Sequence, residues 1–148
     1  MRVGIIGTGA MGQTHAQAWT QTPAKISGFV SKSDETADAL AKQYNAKRYP
    51  SLARMLPEID VLDICTPTHL HRDMCLAAAA AGVHVVCEKP LARTLSQAKE
   101  MIAACEQAGV KLLVAHVVRF FPEYALTKQT VACVKIASPW SIPAAEFC

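Results

Sequence analysis

Three short stretches hold residue types that could do chemistry together. VHVVCEKPLART, Val83 to Thr94, closes an apolar run on an acid, a base and a proline. Lys89 brings an ammonium that can stabilise charge developing on an oxygen or relay a proton, and partial burial would draw its pKa down toward usefulness. CTPTHLH, Cys65 to His71, ends a second apolar run, and Cys65 and Cys87 could each touch a ligand through the backbone alone. GTGAMG, Gly7 to Gly12, directly follows a third. In this G-x-G-x-x-G turn Gly7 permits the bend, Gly9 lets the backbone approach a pyrophosphate, and Gly12 allows close helix–strand packing. Thr8, Ala10 and Met11 complete the turn, and the N–H groups at the start of the next helix would meet the phosphates. No Gly-Lys-Ser/Thr follows, so a P-loop is excluded.

A dinucleotide turn is commonly followed, about 20 residues on, by an acid that binds the adenosine ribose. Here VSKSDE puts Ser31 and Lys32 at that place. A hydroxyl and an ammonium would welcome a 2′-phosphate that a carboxylate would repel, which predicts a preference for NADP(H). The alternative is that Asp34 slides into the ribose role and NAD is bound.

These stretches need a scaffold that brings their ends together. RVGII (2–6), KISGFV (25–30), a short piece near 47–49, DVLDIC (60–65), VHVVC (83–87) and KLLVA (111–115) read as strands. A helix is predicted from Ala10 to before Thr22-Pro23. Ser33 caps a second, with Ala37, Leu40, Ala41 and Tyr44 as its apolar stripe. A helical turn is expected over 52–56. Thr68 should cap an alanine-rich helix ending at Gly82. Thr94 and Gln97 form a capping box for a helix whose buried stripe is Ala98, Met101, Ile102 and Cys105, closed by Gly109. Strands alternating with helices predict an α/β doubly wound parallel sheet, a Rossmann fold, in which ligands sit beyond the carboxyl ends of the strands.

Composition narrows the class. The 148 residues are 51% hydrophobic and 18% charged with a net charge of +3, which suits one domain with a core. No basic block interleaves with aromatics, so nucleic acid is not expected as a partner. The longest oily stretch, 74–87, is interrupted and shorter than the ~20 residues of a membrane span. No C-x-x-C occurs among Cys65, Cys75, Cys87, Cys105, Cys133 and Cys148, which fits reduced thiols in a cytoplasmic protein. His69, His71, Cys75 and His116 lack zinc-site spacing, so no metal is expected. His15 and His84 are read as packed or hydrogen-bonded.

GTGAMG, CTPTHLH, AGVHVVCEKPLA and RFFPEY, in this order and spacing, resemble the N-terminal half of the glucose–fructose oxidoreductase/inositol dehydrogenase/MocA family over about residues 1–128. The resemblance implies an NAD(P)-dependent dehydrogenase or reductase acting on a sugar, cyclitol or similar polyol. It implies that Gly7, Gly9 and Gly12 hold the pyrophosphate, that Thr66 and Pro67 line the nicotinamide side, and that Glu88 contacts the nicotinamide ribose. Lys89 would point at the reacting hydroxyl or carbonyl as the catalytic residue, with His71 and the Arg119–Phe120 segment near that pocket. A cis bond before Pro90 is also implied.

Members of the family carry a second α/β domain that binds substrate and supplies a catalytic histidine, and its catalytic Asp and His have no counterpart here. Residues 129–148 read as a lead-in to that absent domain. The expectation is either a truncated product or a stand-alone module that binds cofactor with little turnover, self-associating through apolar groups the second domain would cover. A non-catalytic dinucleotide-binding module that senses redox state or pairs with another chain is the alternative. An S-adenosylmethionine-binding domain is a third reading.

Overall fold

Six short β-branched or apolar runs pair side by side as parallel strands because helices return the chain to the same edge after each one. The computed structural model describes residues 1–133. In chain order they are β1 (Arg2–Ile6), α1 (Ala10–Trp19), β2 (Lys25–Val30), α2 (Asp34–Gln43), β3 (Lys47–Arg48), α3 (Leu52–Met55), β4 (Val61–Ile64), α4 (His71–Ala80), β5 (His84–Glu88), α5 (Leu95–Gln107), β6 (Leu112–Ala115) and α6 (Pro122–Cys133). The sheet order is β3-β2-β1-β4-β5-β6, with every pairing parallel. This is the doubly wound fold expected from the sequence.

The sheet is covered on both faces. On one, Ala16 of α1 and Leu40 and Ala41 of α2 pack on Val3, Ile5, Ile26, Phe29 and Val61. On the other, Met55, Cys75, Ala78, Met101 and Cys105 from α3, α4 and α5 pack on Ile6, Val30, Leu62, Ile64, Val85 and Cys87. Met101 is fully buried, and truncating such a side chain to alanine costs about 2–5 kcal/mol. The winding direction reverses between β1 and β4, so a crevice opens there at the carboxyl ends of the strands.

Several local expectations hold. The Ser33 hydroxyl accepts from Thr36 N–H, and the Thr94 hydroxyl accepts from Gln97 N–H. Gly82 and Gly109 follow their helices with positive φ. Others are corrected. Thr68 does not cap α4: residues Thr68–Leu70 wind as a tighter 3-10 turn, the α-helix starts at His71, and no side-chain cap is made. Ile102 is 43% exposed, because α5 turns Met101 and Cys105 to the core with Ala104 packed beside them. The fourth strand is shorter than 60–65, since Asp60 pairs with the Arg2 guanidinium and backbone. The fifth runs one residue further, which places Glu88 in the sheet.

The chain divides into a unit of residues 1–115, which holds the whole sheet, and a unit that begins at His116. In the second, a 3-10 turn over Val117–Phe120 leads to α6. The boundary expected at residue 128 falls inside that helix, and the expected lead-in from 134 onward, with Cys148, lies outside the described residues. Among the described residues, no helix is long and apolar enough to cross a membrane.

Candidate dinucleotide site

Register decides what meets at the crevice. Ile6 lies opposite Ile64, and Ile64 opposite Cys87, so the residues that follow, Gly7, Cys65 and Glu88, emerge at one edge of three adjacent strands. Adjacent strands lie about 4.8 Å apart, so Gly7 and Lys89 belong to a single cleft edge rather than to distant surfaces.

At the glycine turn, Gly7 has φ +98°, and a Cβ there would stand 2.6 Å from the Cys65 carbonyl oxygen. A Cβ on Gly12 would lie 1.9 Å from the Gly7 carbonyl oxygen, so α1 can start this close to the turn only with glycine. Gly9 differs. A Cβ there would meet nothing within 4 Å, which leaves its backbone facing open space. Helix α1 has no side-chain cap at Gly9, and its opening N–H groups, at Ala10, Met11 and Gly12, have no intrahelical acceptor by geometry. An open backbone face beside uncapped amides fits a diphosphate.

Thr8 is buried, and its hydroxyl donates to Ser31 Oγ at 2.7 Å and lies 2.5 Å from Thr36 Oγ1. Ser31 Oγ also accepts from Ser33 N–H. These hydroxyls tie the glycine turn to the β2–α2 loop. Lys32 is exposed. Asp34, the alternative ribose ligand, is hydrogen-bonded to the Arg48 guanidinium.

At the other strand ends, expectation and structure diverge. Glu88 and Lys89 do not form a charged pair at the mouth. Glu88 is 5% exposed and turned inward, with Oε1 3.0 Å from His15 Nε2 and Oε2 accepting from the Lys89 N–H at 3.0 Å. Lys89 is exposed, so the expected partial burial is absent, and among the described residues it makes no ion pair. The reason is where the strand ends: Glu88 is the last residue of β5, between the covered faces of the sheet, and Lys89 lies beyond it. The Lys89–Pro90 peptide is cis.

His71 is 1% exposed, and both ring nitrogens are engaged by backbone. Nε2 lies 2.8 Å from the Thr66 carbonyl oxygen, and Nδ1 lies 3.2 Å from those of Pro90 and Leu91. It braces the β4 and β5 exits. Thr66 is half-buried with its hydroxyl on Met74 Sδ, and Pro67 is exposed. Arg119 lies in the turn Val117–Phe120 of the second unit. The thiols are passive, since burial pushes Cys65 and Cys75 well up and Cys87 to about 12.

Sequence reasoning missed the group beneath this edge. Asp63, fully buried in β4, receives His15 Nδ1 at 3.0 Å, Trp19 Nε1–H at 2.7 Å and the Cys65 thiol at 3.6 Å. His15 thus stands between Asp63 and Glu88, and its pKa is raised, first by the hydrogen bond to Asp63. His15, Asp63 and Cys65 bring three possible ligand atoms within 4.8 Å of one another, but these contacts already form a hydrogen-bonded network around a protonated thiol. An aspartate inside the apolar run VLDI, needing a buried partner, was the available signal.

Comparison with known proteins identifies the family. Residues 1–116 match the model of the family described as "Oxidoreductase family, NAD-binding Rossmann fold", GFO_IDH_MocA. Levoglucosan dehydrogenase of Pseudarthrobacter phenanthrenivorans is 34% identical, over 88% of this chain and 37% of that protein. The WlbA dehydrogenase of Bordetella pertussis, solved with NADH and UDP-GlcNAcA, superposes with a TM-score of 0.85 at 32% identity, over 89% of this chain and 39% of that one. Biliverdin reductase of Synechocystis sp. PCC 6803, solved with biliverdin and NADP+, gives 0.81 at 29% identity, over 88% and 42%. The chain therefore spans less than half the length of these relatives. With its parallel sheet, glycine turn and family match over residues 1–116, the chain belongs to the oxidoreductase family with an NAD-binding Rossmann fold.

Proposed function

We propose that this chain is the cofactor-binding half of an NADP(H)-preferring dehydrogenase or reductase for a sugar, cyclitol or related polyol. The open backbone at Gly9, beside the uncapped start of α1, carries the reading. The amides of Ala10, Met11 and Gly12 would hold the diphosphate, and Ser31 and Lys32 would receive a 2′-phosphate. The engagement of Asp34 Oδ1 by Arg48 supports that preference, because a carboxylate held by a guanidinium is a poorer acceptor for ribose hydroxyls. Thr66 and Pro67, with the Cys65 backbone, would line the nicotinamide side. Glu88 would contact ribose only through the lone pairs its present bonds leave.

The nicotinamide supplies hydride exchange when bound. Lys89 would touch the substrate oxygen, its ammonium donating a proton as a carbonyl is reduced and its neutral amine taking the hydroxyl proton as an alcohol is oxidised. An exposed ammonium suits a group that must meet a second reactant. Sugar and polyol dehydrogenases among the curated relatives support the substrate class. Exposed Phe120, Tyr124 and Leu126 in the second unit support self-association. The 148-residue chain by itself is proposed to turn over little, since substrate positioning supplies much of an enzyme's rate.

One titration tests the reading. NADPH and NADH are titrated into the purified chain, and turnover is then sought with reduced cofactor and carbonyl sugars and with oxidised cofactor and polyols. Tighter NADPH binding without steady turnover is expected. Tighter NADH binding would overturn the preference, and turnover at ordinary enzyme rates would overturn the incomplete-site proposal.

A further inference from the structure

Asp63, His15 and Glu88 form a continuous buried line beneath the cleft edge. His15 comes from the helix that begins at the glycine turn, Asp63 from β4, and Glu88 from the end of β5. Their side chains are 16%, 0% and 7% exposed, so the charges are largely out of water. Each ring nitrogen of His15 faces a carboxylate oxygen at 3.0 Å. A neutral imidazole has one N–H and one lone pair, so it would set a lone pair against one of the two carboxylates. Only the doubly protonated ring donates to both. The far oxygen of Glu88 holds the Lys89 N–H, so the line ends on the backbone of the candidate catalytic lysine.

We propose that His15 is a positioning residue: as an imidazolium it clamps the end of β5 against the glycine-turn helix, fixing Lys89 relative to the bound dinucleotide. This rests on the dinucleotide reading above. His15 touches neither the glycine turn's open face nor the Lys89 ammonium, and acts through Glu88. Other groups facing it are Asp63 from β4, with the Cys65 thiol behind it, and Trp19 on its own helix. The His15 pKa is raised, first by the hydrogen bond to Asp63, the direction that favours a charged ring.

The clamp lies at the β5 end of the cleft, so its removal should be felt by ligands that carry a nicotinamide nucleoside and not by those that lack it. NADPH and ADP are titrated into the full 148-residue chain and into His15→Ala, and ring nitrogens of the unaltered chain are read by long-range ¹⁵N NMR. Expected are protons on both His15 nitrogens at pH 7, NADPH weakened by about fivefold or more, and ADP changed by less than about twofold. Equal weakening of both ligands, or of neither, would reduce His15 to a packing residue and overturn the clamp. If His15→Ala fails to fold, the NMR reading decides, and a single protonated nitrogen overturns the proposal. Failure of the unaltered chain to bind NADPH or ADP at all would instead overturn the dinucleotide reading, and the clamp with it.

Discussion

The chemistry of single residues here is set by whether they lie inside the sheet or just past its edge. Glu88 and Lys89 are neighbours in sequence, yet one is buried on His15 and the other stands in solvent. His15 between two carboxylates also makes stability depend on pH. Its folded-state pKa lies above the ordinary 6.5, so the folded chain holds this proton more tightly than the unfolded one. The resulting stabilisation is complete below about pH 6.5 and is lost as pH rises through the raised value. Urea midpoints should therefore fall from neutral to alkaline pH in the natural chain and fall less in His15→Ala. Superimposable profiles would show that the pair contributes nothing. The place of Lys89 at the end of β5 was legible because its motif is contiguous. The His15 network was not, because its members lie 48 and 73 residues apart and meet only through sheet register.

Elements were read more securely than their ends. The alternation of apolar runs and helices predicts a parallel sheet and narrows its topology, because right-handed crossovers leave few choices, while the order itself comes from the structure. Boundaries moved where a side chain also bound the backbone: the Asp60 carboxylate takes the Arg2 N–H at the start of β4, and His71 reaches back to the Thr66 carbonyl at the start of α4. The junction of β1 and α1 is the least forgiving place in the fold. Gly12→Ala would put a methyl 1.9 Å from the Gly7 carbonyl oxygen, a backbone atom that cannot swing aside. Overpacking of this kind costs about 1–3 kcal/mol or more. Urea unfolding should show a loss of at least that size, and an unchanged midpoint would mean that the turn can relax.

At the scale of the whole molecule, a sheet with two covered faces serves to bring three loops to one edge, and the chain spans 37% to 42% of the length of three relatives. Cofactor binding is thus the property that this chain's own residues can answer for. Gly9 isolates it from folding. Its backbone is extended, at φ −69° and ψ −169°, and a side chain there enters open space, so Gly9→Val should fold as the natural chain does. The same side chain would occupy the approach of a diphosphate. Fluorescence titration of NADPH into both proteins, with thermal melts alongside, tests the central claim most directly. Matching melts with affinity reduced by about tenfold or more in Gly9→Val are predicted. Equal affinity in two equally folded chains would contradict it.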